Sequence, residues 1–175
     1  MARILIAYST TDGHTARICQ RMGDLLAAQS HSISVAPLAT VEERDLAACD
    51  KIVIGASIRY GRHSQAVFDF IARHEPVLNR KPSAFFSVNV VARKPEKNQP
   101  HTNPYVRKLL GRIAWRPTAV GVFAGKIDYP RYGFVDRNII RFIMLLTGGP
   151  TDPTTVTEFT DWRAVEDFAG RIAAL

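Results

Sequence analysis

The chain has 175 residues, 46% of them hydrophobic and 22% charged, with a formal net charge of +7. That length supports one domain with a substantial core and is short for two, and the composition excludes a disordered chain. The charge admits an acidic partner, but basic and aromatic residues do not interleave as they do on nucleic-acid-binding surfaces, so no nucleic acid is expected.

Residues 3–8 form a short, nearly continuous apolar run, read as a buried strand. A hydroxyl-rich turn follows, Ser9-Thr10-Thr11-Asp12-Gly13-His14-Thr15. Residues 16–29 then carry Ile18, Met22, Leu25 and Leu26 at helical spacing. Strand, turn and helix in that order leave free backbone N–H groups at a helix N-terminus, where an anion is stabilised. Neither a GxxxxGK[ST] loop nor a GxGxxG fingerprint is present. Two readings of the turn remain: a phosphate cradle of hydroxyls and amides suited to a mononucleotide, or an ordinary capped turn.

Residues 32–38 read as a second strand. Thr40-Val41-Glu42-Glu43 has capping-box form and is expected to open a brief helix. Residues 51–57 are apolar on both faces, a third strand, and lead through a loop at 58–62 to a helix containing Phe68 and Ile71. Pro76 is expected to disturb that helix. Residues 83–92 form a fourth strand running into its loop, residues 119–124 a fifth, and residues 162–175 a closing helix with Val165, Phe168, Ala169 and Ile172 on one face.

Two stretches exceed this pattern. Residues 93–116 hold seven Lys/Arg against Glu96, a local charge of +6, with a short helix carrying an apolar stripe of Val106, Leu109, Leu110 and Ile113. The stripe has either an interfacial role at an anionic membrane or a packing role in a basic lid over the substrate. Residues 135–146 form a helix that is apolar nearly all round apart from Arg137, Asn138 and Arg141. Burial of most of it in the core is expected; the alternative is a face lying on a membrane or a greasy ligand.

Strands apolar on both faces, alternating with helices, indicate a parallel sheet covered on both sides, with ligands bound at the carboxyl ends of its strands. The loops at 9–15, at 57–61 and from Asn89 onward then surround one crevice, suited to a flat ring with a phosphate tail.

The order of elements and the first loop resemble the flavodoxin-like family. More narrowly, the loops 9–15 and 57–61, the run 87–97, and Trp115-Arg116-Pro117, Tyr129-Pro130-Arg131-Tyr132, Gly148-Gly149 and Thr160-Asp161-Trp162 resemble its menaquinone-dependent protoporphyrinogen oxidases. The resemblance covers essentially the whole chain. It implies a single α/β domain over 1–175: a doubly wound five-stranded parallel sheet, order 2-1-3-4-5, with a long basic insertion (93–116) after strand 4. It implies FMN as cofactor, bound by Ser9, Thr10, Thr11, Asp12, Gly13, His14 and Thr15 at the phosphate. Ser57, Ile58, Arg59, Tyr60, Gly61, Asn89, Val90, Ala92 and Arg93 would lie about the ring. It further implies oxidation of protoporphyrinogen IX in haem biosynthesis, menaquinone as acceptor, and a peripheral position on the cytoplasmic face of the bacterial inner membrane. Asp12 stands where many flavodoxins have Thr; repelled by a phosphate, it is expected to turn away and cap the helix.

No general base stands out. Arg59, Tyr60, Arg93 and Lys94 are the candidates for a direct part in the chemistry, through propionates of the substrate or charge on the reduced cofactor. Cys19 and Cys49 are outside any CxxC frame, and His14, His63, His74 and His101 lack ligand spacing, so neither a disulfide nor a metal site is expected. The start of the chain leaves no room for a signal peptide, and a cytosolic protein is expected. An electron carrier and an NAD(P)H:quinone reductase are the competing functions; self-association is left open.

Overall fold

In the computed structural model, which describes residues 1–175, the apolar runs form a sheet of β1 (Arg3–Ser9), β2 (Ser32–Pro37), β3 (Lys51–Arg59), β5 (Ser83–Val88) and β6 (Ala119–Phe123). These five strands are parallel in the order β2-β1-β3-β5-β6. A two-residue β4 (Arg62–His63) folds back antiparallel on the end of β3. With β4 set aside, the order is the doubly wound one expected from the sequence. The chain passes from β1 outward to β2, then crosses to the other side of β1 for β3. The loops after β1 and β3 therefore diverge, opening a crevice at the strand ends.

Alternation along each strand feeds two cores. Ile4 and Ile6 of β1, Val53 of β3 and Phe86 of β5 pack against Ile18, Met22 and Leu26 of α1 (His14–Ala27) and Phe168 and Ile172 of α6 (Trp162–Ala174). Leu5, Ile52, Ile54 and Phe85 face the other way. They meet Leu46 of α2 (Glu43–Ala48), Val67, Ile71 and Leu78 of α3 (Gln65–Arg80), and Val106 and Leu109 of α4 (Pro104–Leu110). The ring of Phe86 lies across Gly55, where an added Cβ would come 2.2 Å from its Cζ, so only glycine fits this point of β3.

Several local expectations change. α3 runs straight through Pro76, because Phe70, Ile71, His74 and Leu78 hold both halves against the sheet and outweigh the missing N–H. The capping box of α2 is Glu42 with Asp45, whose Oδ2 accepts from Glu42 N at 2.9 Å, rather than one begun by Thr40. β5 ends at Val88, and a 3₁₀ turn over Val90–Arg93 replaces the rest of the expected strand. Val106, Leu109 and Ile113 of the basic insertion are buried in the core, so that stripe is not an interfacial face.

The largest departure is α5 (Phe134–Thr147). Among its residues only Met144 is buried, while Phe134 is 81% exposed, Phe142 60%, Leu145 68% and Leu146 70%. The expected burial in the core is overturned. α5 stands beside a small antiparallel ribbon of β7 (Lys126–Asp128) and β8 (Val156–Glu158), which the sequence reading missed. No helix is long and apolar enough to cross a membrane.

Candidate active site

The turn after β1 is closed by Gly13 N donating to Thr10 Oγ1 at 3.0 Å. Gly13 has φ 84°, a left-handed conformation that side chains resist. The first helical bond of α1 is Arg17 N to Gly13 O at 3.2 Å, so the N–H groups of His14, Thr15 and Ala16 are uncommitted at the positive end of the helix. Thr15 Oγ1 is buried and has no partner. A buried hydroxyl without a partner is costly, and an anion seated on these amides satisfies it. Asp12 does turn away, but it does not cap the helix: Gly13 is the N-cap, and Asp12 Oδ2 accepts from Arg59 Nη1 at 3.0 Å. That ion pair offsets the carboxylate that would repel an anion.

Arg59 reaches in two directions. Its other Nη donates to Asp136 of α5, which also accepts from the Tyr60 hydroxyl. The hydrogen bond from Tyr60 is the largest influence and lowers the pKa of Asp136; burial opposes it, and the hydrogen bond and charge of Arg59 add to the lowering. The 57–61 loop is thus fastened to the 9–15 turn on one side and to α5 on the other. Tyr60 takes φ 50°, rare for a large side chain, at the hairpin from β3 to β4.

The loop after β5 is anchored from below. Asn89 Nδ2 donates to Ser87 Oγ at 3.1 Å, and Asn89 Oδ1 accepts from Ala92 N at 3.0 Å and from Asn103 Nδ2 at 3.1 Å. His63 Nε2 meets the same Ser87 hydroxyl at 3.0 Å. Burial pushes the pKa of His63 down to about 4, so it is neutral at pH 7. On the other flank Thr160 Oγ1 gives its proton to Ala124 O at 2.8 Å, so it accepts from His14 Nε2 at 2.6 Å. Burial is the main cause of His14's lowered pKa.

These loops enclose a cavity of about 380 Å³, within the span of small-molecule sites. Thr10, Thr11, Asp12, Gly13, His14 and Thr15 line it, as do Ser57, Ile58, Arg59, Tyr60, Gly61, Asn89 and Val90. Four expected residues do not. Ser9 Oγ pairs with Ser64 Oγ at 3.2 Å at the end of β1. The 3₁₀ turn carries Ala92 inward to the core and Lys94 past the cavity. The Arg93 guanidinium is committed to the carbonyls of Val90, at 3.1 Å, and Thr147, at 2.9 Å. Arg93 is thus engaged away from the cavity, and Lys94 does not line it.

The structure adds what the sequence reading lacked. Ile140, Ile143 and Met144 of α5 form an apolar wall, Tyr105 and Tyr132 border it, and Arg17, Lys126 and Arg131 join Arg59 as cations. Tyr129-Pro130-Arg131-Tyr132 was the available signal for this side, but strands as short as β7 and β8 have no readable period. Asp12 pairs with Arg59 and Asp128 with Lys126 at 3.0 Å, so no carboxylate lining the cavity is free to take a proton. Arg131 makes no ion pair, whereas Arg17 is held by Glu158 at 2.8 Å and lies over Trp162. One end of the cavity suits a phosphate and the middle suits a flat ring. The α5 side suits a second apolar molecule bearing acidic groups.

The Flavodoxin domain family matches residues 5–154. A protein of Leishmania major named protoporphyrinogen IX dehydrogenase [quinone] is 47% identical over 174 residues, covering 99% of this chain and 75% of that protein. The Escherichia coli (strain K12) protein of the same name is 44% identical over 173 residues, covering 99% of this chain and 96% of its own. Among solved structures, oxidised flavodoxin 2 from Bacillus cereus superposes with a TM-score of 0.52 at 24% identity, covering 70% of this chain and 84% of that one. The last likeness concerns the fold alone.

Proposed function

The chain belongs to the flavodoxin-domain family of quinone-linked protoporphyrinogen IX dehydrogenases, and we propose that it uses FMN to oxidise protoporphyrinogen IX to protoporphyrin IX with menaquinone as acceptor, as a step of haem biosynthesis. Bound FMN would supply the redox chemistry, removing six electrons from the macrocycle as three two-electron steps and delivering each pair to a quinone. The residues of the chain bind, orient and shield. The amides of His14, Thr15 and Ala16 and the Thr15 hydroxyl hold the phosphate. Arg59 keeps Asp12 from opposing it. The 57–61 and 89–91 loops border the ring, and the Asn89 network fixes the second of them. Arg131 is the cation available to a substrate propionate, and Ile140 and Ile143 exclude water from the macrocycle. Each two-electron step also frees a proton from the macrocycle, and with Asp12 and Asp128 ion-paired that proton would pass to water. The protein would act as a peripheral protein on the cytoplasmic face of the inner membrane that dissolves the quinone, a reading supported by its net charge of +7.

One observation carries this reading: a single cavity joins a partnerless hydroxyl at an open helix N-terminus to an apolar wall with an unpaired arginine. The test is anaerobic mixing of the yellow holoprotein with protoporphyrinogen IX, then with a water-soluble menaquinone analogue. Bleaching on the first addition, recovery on the second, and porphyrin fluorescence accumulating over many turnovers are expected. Bleaching without turnover would leave an electron carrier instead.

A further inference from the structure

α5 is amphipathic the wrong way round for a helix resting on its own domain. Its polar residues face inward and are engaged. Asp136 is held by Arg59 and Tyr60, Arg137 Nη2 donates to Tyr132 O at 3.1 Å, and Arg141 Nε donates to Thr151 O at 2.8 Å. Its outward face presents Phe134, Val135, Ile139, Phe142, Leu145 and Leu146, with Asn138 as the only exposed polar side chain among them. Six large apolar side chains on one continuous helical face form a patch of the kind that marks an interaction surface.

Charge and shape select the occupant. The exposed face carries no carboxylate. Arg131, exposed and unpaired, precedes its N-terminal end. At its other end Arg93 ties the helix to the basic insertion, donating to Thr147 O at 2.9 Å, and that insertion holds a local +6. A helix of 14 residues is about 21 Å long and about 10 Å wide. An apolar helical face of this size flanked by cations fits the headgroup region of an anionic bilayer.

We propose that α5 lies flat in the surface of an anionic membrane, its outward face among the acyl chains, and is the element through which the protein docks there. The proposal rests on the peripheral-membrane part of the function above and moves the contact from the basic insertion, whose stripe is buried, to α5. Because Ile140, Ile143 and Met144 on the opposite side of the same helix line the cavity, docking by α5 sets the cavity beside the lipid. A quinone dissolved in the bilayer then reaches the site without crossing water.

The experiment is flotation of the holoprotein with vesicles of phosphatidylglycerol and phosphatidylethanolamine, and with vesicles of phosphatidylcholine alone. It compares wild type with Phe142→Ser/Leu145→Ser, two substitutions outside the cavity lining. Wild type should bind the anionic vesicles, and the double variant at least about tenfold less. The variant should keep turnover with a water-soluble quinone and lose it with a long-tailed quinone held in vesicles. A Phe142→Trp protein should show a blue-shifted emission that bromolipids quench. Equal binding by wild type and double variant would overturn α5 as the docking element while leaving a membrane contact elsewhere. No vesicle binding, with a dimer in sedimentation that the double variant converts to monomer, would overturn lipid as the occupant in favour of a second copy. No vesicle binding by a monomer would overturn the proposal outright. Flotation needs no substrate, so these outcomes are separate from failure of the turnover assay.

Discussion

Thr15 sits in the first turn of a helix, 1% exposed, with a hydroxyl that nothing in the protein satisfies. Folding alone is made worse by this group, so its benefit must come from a bound molecule. Two opposite effects are expected from Thr15→Val, which keeps the shape and deletes the hydroxyl. FMN should bind about 10- to 100-fold more weakly, since a hydrogen bond to a charged group is worth roughly 1.5–3 kcal/mol. The apoprotein should be as stable as wild type or up to about 1 kcal/mol more stable, because a buried unsatisfied group is gone. Fluorescence titration of the apoprotein and urea melts without cofactor measure the two. Unchanged affinity would place the anion elsewhere. The hydroxyl-rich turn itself was legible in the sequence because strand, glycine and helix dictate its backbone. What was not legible is which hydroxyl stays unpaired: Ser9 and Thr10 look equivalent to Thr15, yet Ser9 bonds to Ser64, and Thr10 closes the turn.

At the scale of elements, one buried side chain ties the basic insertion together and to the loop after β5. Asn103 is fully buried. It accepts from Tyr105 N at 3.1 Å and Val106 N at 3.3 Å, capping α4, and donates to Lys97 O at 2.9 Å and Asn89 Oδ1. Asn103→Ala removes a helix cap and strands buried groups at once, and should cost about 2–4 kcal/mol in chemical denaturation. Limited proteolysis should then cut within residues 93–116 before any other site; an unchanged digestion pattern would show that the insertion is held by its apolar stripe alone. Periodicity found both the stripe of this insertion and the apolar run of α5, but not which way either faces. A hydrophobic pattern specifies a face relative to its own helix axis, and the usual assumption is that the apolar face turns inward. The assumption holds for Val106 and Leu109. It fails for α5, where ion pairing and hydrogen bonds to Arg59, Tyr132 and Thr151 hold the polar side inward. Those partners lie far away in sequence or in loops without pattern.

The whole molecule is strongly cationic, and the cavity shares that sign: Arg17, Arg59, Lys126 and Arg131 line it against Asp12 and Asp128. The topology, legible from the alternation of buried strands and helices, collects these side chains from β3, α1 and the β7 side at one end of the sheet, although no motif in the sequence groups them. A cleft of one sign in a low-dielectric wall raises the encounter rate of an oppositely charged ligand, and salt weakens the effect once the Debye length falls below the distances involved. For a porphyrinogen bearing two propionates, kcat/KM should fall about tenfold between roughly 0.01 M and 0.5 M ionic strength. The dimethyl ester of the same macrocycle should show little salt dependence, because its apolar contacts with α5 are unscreened. Both series are run without vesicles and with a water-soluble quinone, so that membrane docking does not enter. If acid and ester respond to salt alike, the field of the cavity does not guide the substrate, and Arg131 is left without the role assigned to it. If only the acid responds, Arg131→Gln should flatten its profile while leaving the ester's unchanged, which separates a directed contact from the general attraction of a +7 surface.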